Sequence, residues 1–242
     1  MKILNTPAQG TLPHIAVMVA LPLLFLTLGA WIYTVYESDL YPNPAMETPT
    51  TTFLVRCAIL SSPYVMYYFI WNNGMAFNKF FCNNGVEWFS TFCLSLKALQ
   101  TYTVYCACFP GSSLLSLDFA ALSKHVSNLP PVAWAFFITW FVVGQALNLG
   151  IYNAIGKVGV YYGFKMGHHV PWATGFPFSV VTRHPQYIGA YFSFFSFLPS
   201  LWTTAGMSNG LFGMFVFLFI CYYLVGKFEE ADENPEEQKK DS

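Results

Sequence analysis

The chain has 242 residues, of which 55% are hydrophobic, 19% aromatic and only 10% charged. Soluble domains carry about a quarter of their residues as charges. Here the apolar residues instead gather in blocks that approach the roughly 20 residues needed to cross a bilayer core, which excludes an ordinary soluble domain. The net charge is −1 and no aromatic-interleaved basic patch is present, so nucleic-acid binding has no support.

Charge is unevenly placed. From Lys227 onward there are seven acids and three bases, a net of −4, and the preceding 226 residues carry a net of +3. The six cysteines (Cys57, Cys82, Cys93, Cys106, Cys108 and Cys221) lie in or beside apolar blocks without paired CxxC spacing. They read as small buried hydrophobes, and no metal site is expected. The length suits one domain, residues 1–242, with 227–242 as an acidic tail.

In chain order, apolar blocks fall at about 12–36, 52–71, 86–109, 131–152, 187–205 and 209–226. The first follows Lys2, but it is longer than the roughly 7–15 residues of a signal-peptide h-region and no small-x-small site follows, so it is expected to be retained. Pro22 marks it as a span, a kinked span or a re-entrant element. Backbone exposed to lipid must satisfy its own hydrogen bonds, and barrel-type alternation is absent. The expected fold is therefore all-α: a polytopic membrane protein of about 4–6 transmembrane helices, the last two blocks forming a tight hairpin across Asn209-Gly210. Residues 153–186 are too polar for a lipid-facing span and too aromatic for a free loop, so an interfacial helix followed by an ordered loop is expected. Placing 72–85, 153–186 and the tail in the cytosol gathers Lys79, Lys157, Lys165, Arg183, Lys227, Lys239 and Lys240 there with Lys2, against Arg56 and Lys124 opposite. The positive-inside rule then puts both termini in the cytosol.

Three clusters carry chemistry. Gly159, Gly163 and Gly167 are four apart, which suits either close helix packing or close backbone approach to a ligand. Arg183-His184-Pro185-Gln186-Tyr187-Ile188-Gly189 begins the fifth block. Pro185 suits a first helical turn, whose free N–H groups beside Arg183 would form an anion site, and a basic interface anchor is the plainer alternative. Glu229 and Glu230 follow the last span, either opening the acidic tail or placing carboxylates at a mouth shared with Arg183 and Tyr187. That mouth would offer a cation to a carboxylate and a carboxylate to an ammonium. An amino-acid end, such as that of S-adenosylmethionine, has both groups.

The runs Asn153–Gly163, Val170–Phe178 and His184–Gly189 closely resemble the plant-type phospholipid N-methyltransferases, within a superfamily that also holds isoprenylcysteine carboxyl methyltransferases. The resemblance implies an enzyme that binds S-adenosyl-L-methionine at the cytosolic mouth and methylates a phospholipid entering from the side. It would transfer methyl groups to phosphatidyl-N-methylethanolamine and phosphatidyl-N,N-dimethylethanolamine, giving phosphatidylcholine. Carried over, Gly159, Gly163 and Gly167 match the glycine-rich cofactor segment. His184, Pro185, Tyr187 and Gly189 match the second motif, and Glu229 and Glu230 the acidic pair. Arg183-His184 departs from the phospholipid branch and is also typical of the isoprenylcysteine branch, which keeps carboxyl methylation of a prenylated cysteine as the alternative acceptor chemistry.

For mechanism, orientation and exclusion of water dominate, with His184 or a carboxylate of the acidic pair taking the amine proton and Tyr187 or Trp172 facing a cation. Glu87 is either an interface residue or a site wall, and Lys97 with Gln100 either fixes the bundle or touches a lipid phosphate. His14 and His125, near span ends, read as without a role in the chemistry, and His168 and His169 as interfacial residues, with proton transfer as the alternative. A transporter or scaffold would show repeated halves or a polar path across the bilayer, and neither is seen. Lys239-Lys240-Asp241-Ser242 has the spacing of a dilysine retrieval signal, pointing to the endoplasmic reticulum.

Overall fold

The computed structural model describes residues 11–37, 51–112, 116–181 and 183–233. Their regular structure is helical: α1 (Thr11–Glu37), α2 (Thr51–Phe80), α3 (Gly85–Cys108), α4 (Phe119–Ser127), α5 (Pro131–Val160), a 3₁₀ turn (Gly163–Met166), α6 (Pro185–Phe195), α7 (Leu198–Leu201), α8 (Thr204–Ser208) and α9 (Leu211–Glu233). Among the described residues, Thr51–Phe80, Pro131–Met166 and Leu211–Ala231 are long and apolar enough to cross a membrane, and α1 contributes a shorter apolar stretch, Val19–Val35. Large apolar side chains such as Phe25, Val65, Leu94, Leu149 and Leu224 point outward. A soluble surface would not tolerate that many, whereas a bilayer is their solvent. The protein is a helical integral membrane protein.

α1 runs through Pro22 without interruption and packs on α5, where Trp31 sits between Phe136 and Trp202. α2 and α9 run side by side in the same direction. Phe53 lies against Gly213 near one end, Tyr64 against Tyr222 midway and Trp71 against Phe228 near the other. At the far end Arg56 donates to the Asn209 carbonyl at 3.2 Å and to its side-chain oxygen at 3.0 Å, fixing the turn into α9.

Two expectations need correction. The fifth block is not one helix. α6 has 11 residues, about 16 Å of helix, and the chain continues through the short α7 and α8 before reaching Asn209. Pro199 in the first turn of α7 and the extended Thr203, whose hydroxyl caps α8 by accepting from Gly206 N–H, enforce these breaks. The hairpin with α9 survives, its first arm assembled from pieces. Residues 153–186 do not form a separate interfacial helix either. α5 continues to Val160 through a break at Gly156 (φ 64°), and the chain then turns at Tyr161-Tyr162. The acidic tail beyond Glu233, including Lys239 and Lys240, lies outside the described residues, as does Lys2 at the other end.

Candidate active site

The C-terminal ends of α2, α5 and α9 and the N-terminal ends of α3 and α6 meet at one end of the bundle. Tyr162 is positioned there by a left-handed backbone (φ 54°, ψ 32°), a conformation that costs a non-glycine residue about 1–2 kcal/mol. The 3₁₀ turn that follows is clamped to α2 and α3 by Asn78, which donates to Met166 O at 3.0 Å and accepts from Gly85 N at 2.9 Å. Gly74 lets the turn come this close, since a Cβ there would lie 2.5 Å from Lys165 O. Tyr162 is thereby driven into an aromatic wall of Tyr67, Trp71 and Phe89.

α6 begins in a similarly strained way. His184 is left-handed (φ 49°, ψ 44°) and precedes Pro185, which occupies the first helical turn. Tyr187 N–H bonds back to His184 O at 3.0 Å and Ile188 N–H at 3.3 Å, so the helix start offers fewer free donors than its sequence suggests. That leaves the Arg183 side chain as the main cationic group at this point. The His184 ring stacks on Tyr187, with centroids 5.5 Å apart and planes 12° apart. On its other side it meets Gly226 of α9, where a Cβ would lie 3.1 Å from His184 Cδ2.

These turns converge on the acidic pair. Tyr162 and Tyr187 both donate to Glu229 Oε1 and their hydroxyls also touch each other, and all three residues are buried. His184 Nδ1 lies 3.4 Å from Glu229 Oε2, and its Nε2 lies 3.4 Å from Glu230 Oε1, although that second contact lacks hydrogen-bond alignment. Glu230 Oε2 is 3.1 Å from Arg183 Nη1 and 2.7 Å from Lys227 Nζ. Burial pulls the His184 imidazole down in pKa, but bonding and charge from Glu229 and Glu230 outweigh this and hold it above its ordinary 6.5. Buried aromatic hydroxyls bonded to a carboxylate, a histidine and a flanking salt-bridge network form a cluster able to hold a cation and to accept or relay a proton.

Two cavities flank the cluster. One, of about 300 Å³, lies between α6 and α9 and is bordered by Arg183, His184, Tyr187, Tyr222, Lys227 and Glu230, among others. The second, of about 200 Å³, lies between α2 and α9 and reaches Glu229.

Of the residues singled out from the sequence, Arg183, His184, Tyr187, Glu229 and Glu230 come together. The glycines do not. The expected helical stripe is broken by the left-handed Tyr162, so Gly159 and Gly163 abut Ile155 and Val158 of their own segment, and Gly167 (φ 84°) closes the 3₁₀ turn against Met75. Gly189 faces Gly144, Leu147 and Asn148 at the α5–α6 seam, and Pro185 is buried without bordering either cavity. Trp172 is 66% exposed and edges onto Phe164, away from the acidic pair. Glu87 forms a surface ion pair with Lys157. Lys97 donates to Tyr222 OH at 2.7 Å and lies over the Tyr64 ring, tying α3 to α2 and α9. Sequence reasoning missed Tyr162, Tyr67, Trp71, Asn78 and Gly226.

The chain is 32% identical over 130 residues to a phosphatidyl-N-methylethanolamine N-methyltransferase of Arabidopsis thaliana, a match covering 54% of this chain and 69% of the relative. The chain belongs to the phospholipid N-methyltransferase family. No family model matches it and no solved structure matches it.

Proposed function

We propose that this chain is an S-adenosyl-L-methionine-dependent phospholipid N-methyltransferase that converts phosphatidyl-N-methylethanolamine and phosphatidyl-N,N-dimethylethanolamine to phosphatidylcholine. The observation that carries this reading is the buried Glu229, which lines the α2–α9 cavity and is held by two tyrosine hydroxyls while facing His184, a residue of the α6–α9 cavity. It is a carboxylate placed to receive a cationic amine where water is scarce. The reading also takes residues 1–242 as one methyltransferase domain in the endoplasmic reticulum membrane, with its charged end and both termini in the cytosol.

The donor set suits the cofactor. Arg183 offers a guanidinium to a carboxylate, Glu230 a carboxylate to an ammonium, and the Tyr187, Tyr191 and Tyr222 rings offer apolar and cation-attracting walls in the same cavity. The unaligned, buried His184 Nε2 adds a polar atom able to bond to a guest. When bound, the cofactor supplies an electrophilic methyl group. The protein's own tasks are orientation and proton removal. Tyr162 and Tyr187 hold Glu229 fixed in position. Glu229 attracts the amine and takes its proton, and His184 connects Glu229 to the more exposed Glu230. Fixing both reactants in a dry site is worth about 7–11 kcal/mol in such transfers. Within this reading Gly159, Gly163, Gly167, Pro185 and Gly189 serve the site by shaping the turns and seams that aim Tyr162, His184 and Tyr187.

The test is methyl transfer by purified protein in nanodiscs, with labelled cofactor and one acceptor at a time. Label on mono- or dimethylated phosphatidylethanolamine is expected. Label on a prenylated cysteine peptide and none on lipid would assign the chain to carboxyl methylation instead.

A further inference from the structure

We propose that the α2–α9 crevice is the acceptor subsite, taking the N-methylated ethanolamine headgroup of a phospholipid that enters sideways from the bilayer. It is distinct from the α6–α9 cavity assigned above to the cofactor. The proposal rests on the methyltransferase reading and deepens it.

The crevice changes character from rim to floor. At the rim, Tyr68 is 55% and Leu224 58% exposed, and Phe228 leans on Tyr68 with ring centroids 4.7 Å apart. At the floor, Trp71 is 5% and Glu229 7% exposed, with Tyr67 beside them. An apolar lateral opening that ends on aromatic faces and one buried carboxylate matches a headgroup whose tip is an alkylammonium and whose body is a lipid. Methylammonium groups are held by aromatic faces, more strongly when desolvated. They need few hydrogen bonds, and the floor offers one carboxylate. A primary ammonium, with three N–H groups to satisfy, would leave donors unpaired there. The crevice therefore favours partly methylated amines over unmethylated ones.

Lys165 Nζ lies 4.0 Å from the centre of the Trp71 ring, so the residue that walls the crevice already shows a face that attracts a cation. The α6–α9 cavity, bordered by Arg183 and Lys227 as well as by Glu230, suits the doubly charged amino-acid end of the cofactor better than a headgroup tip that is cationic only. The two cavities are linked at Glu229, which lines the second, accepts from Tyr187 of the first and faces His184 of the first. Acceptor and donor would thus reach the same carboxylate from the α2 and α6 sides of α9.

The experiment uses full-length protein in nanodiscs and reads lipid KM and cofactor Kd separately. Trp71→Leu is expected to raise the KM for phosphatidyl-N-methylethanolamine about ten- to thirtyfold while leaving cofactor Kd nearly unchanged. The rim variant Tyr68→Ala should shift the same constant in the same direction by less. An unchanged lipid KM in folded Trp71→Leu overturns the proposal. Should that variant not fold, a phosphatidyl-N-methylethanolamine bearing a photoreactive group beside its amine decides on the wild type. Crosslinks to Tyr67, Trp71 or Phe228 support the crevice, and crosslinks to Tyr191 or Phe219 overturn it. A wild type that binds no cofactor and methylates no lipid sinks the methyltransferase reading. Headgroup crosslinks to the crevice in that case would still sustain the binding site.

Discussion

His184 stands between two adjacent carboxylates, its Nδ1 3.4 Å from Glu229 Oε2 and its other nitrogen facing Glu230. An imidazolium with two N–H groups suits that position better than a neutral ring with one. The left-handed backbone at His184 and the missing side chain of Gly226 are what allow the ring to lie there.

A pH dependence follows. The folded His184 value lies above the ordinary 6.5 because Glu229 and Glu230 outweigh its burial. For a raised group, the stabilisation is complete below the unfolded value and is lost as pH rises through the folded value. Thermal stability in nanodiscs and cofactor affinity should therefore fall on the alkaline side of that transition. His184→Gln should abolish the transition; an alkaline limb of the same midpoint in that variant would assign it to another group.

The two glutamates should separate kinetically. Glu229 is buried and bonded to two tyrosines, whereas Glu230 faces Arg183 and Lys227 at a wetter border. Glu229→Gln should lower kcat about 10²–10⁴-fold, the range of a lost acid–base group. Glu230→Gln should chiefly weaken cofactor binding, and the effect should shrink with added salt because Arg183 is largely exposed. Equal cofactor affinity in wild type and both variants would remove the acidic pair from the cofactor site.

Tyr162 and Tyr187 share one acceptor oxygen, so their contributions should not add. Either Tyr→Phe change removes a hydrogen bond to a charged group, about 1–3 kcal/mol of stabilisation. A double-mutant cycle on transition-state stabilisation should show coupling between them. Simple additivity would mean that the two hydroxyls act on different groups.

Part of this site is legible in the sequence. Pro185 after a basic pair announces a helix start, and Glu229-Glu230 after an apolar block announces a charged mouth. Helix existence is equally legible, because apolar blocks are long. Tyr162 is not, since its direction depends on a left-handed turn and on Gly74 and Asn78, which lie far earlier in the chain. Tyr67 and Trp71 look like any other aromatics of a span until α9 is laid beside them. The glycine spacing misleads for the same reason: a period of four implies a helical face only if the helix continues, and here it ends at Val160.

Gly189 gives a packing test. A Cβ there would lie 2.8 Å from Asn148 Oδ1 and 2.9 Å from both Gly144 O and Leu147 Cβ, and a backbone carbonyl cannot rotate away. Gly189→Val should part α5 from α6 and cost about 1–3 kcal/mol, read as a lower melting temperature in nanodiscs. Full stability with selective loss of cofactor binding would instead return Gly189 to the role that its motif implies.

Orientation can be tested with a residue the chain already supplies. The site end of the bundle carries Lys79, Lys157, Lys165, Arg183 and Lys227, and the opposite end Arg56 and Lys124. The positive-inside rule predicts that the site end faces the cytosol. Cys82 lies in the turn between α2 and α3 at that end and is exposed, whereas Cys57, Cys93, Cys108 and Cys221 are buried. In cells whose plasma membrane alone is permeabilised, a membrane-impermeant maleimide should label the wild type, and Cys82→Ser should remove that labelling. The same preparation should expose the C-terminal tail to antibody, since α9 ends on the same side. If Cys82 is labelled only after the organelle membrane is opened, the site faces the lumen and the topology is inverted.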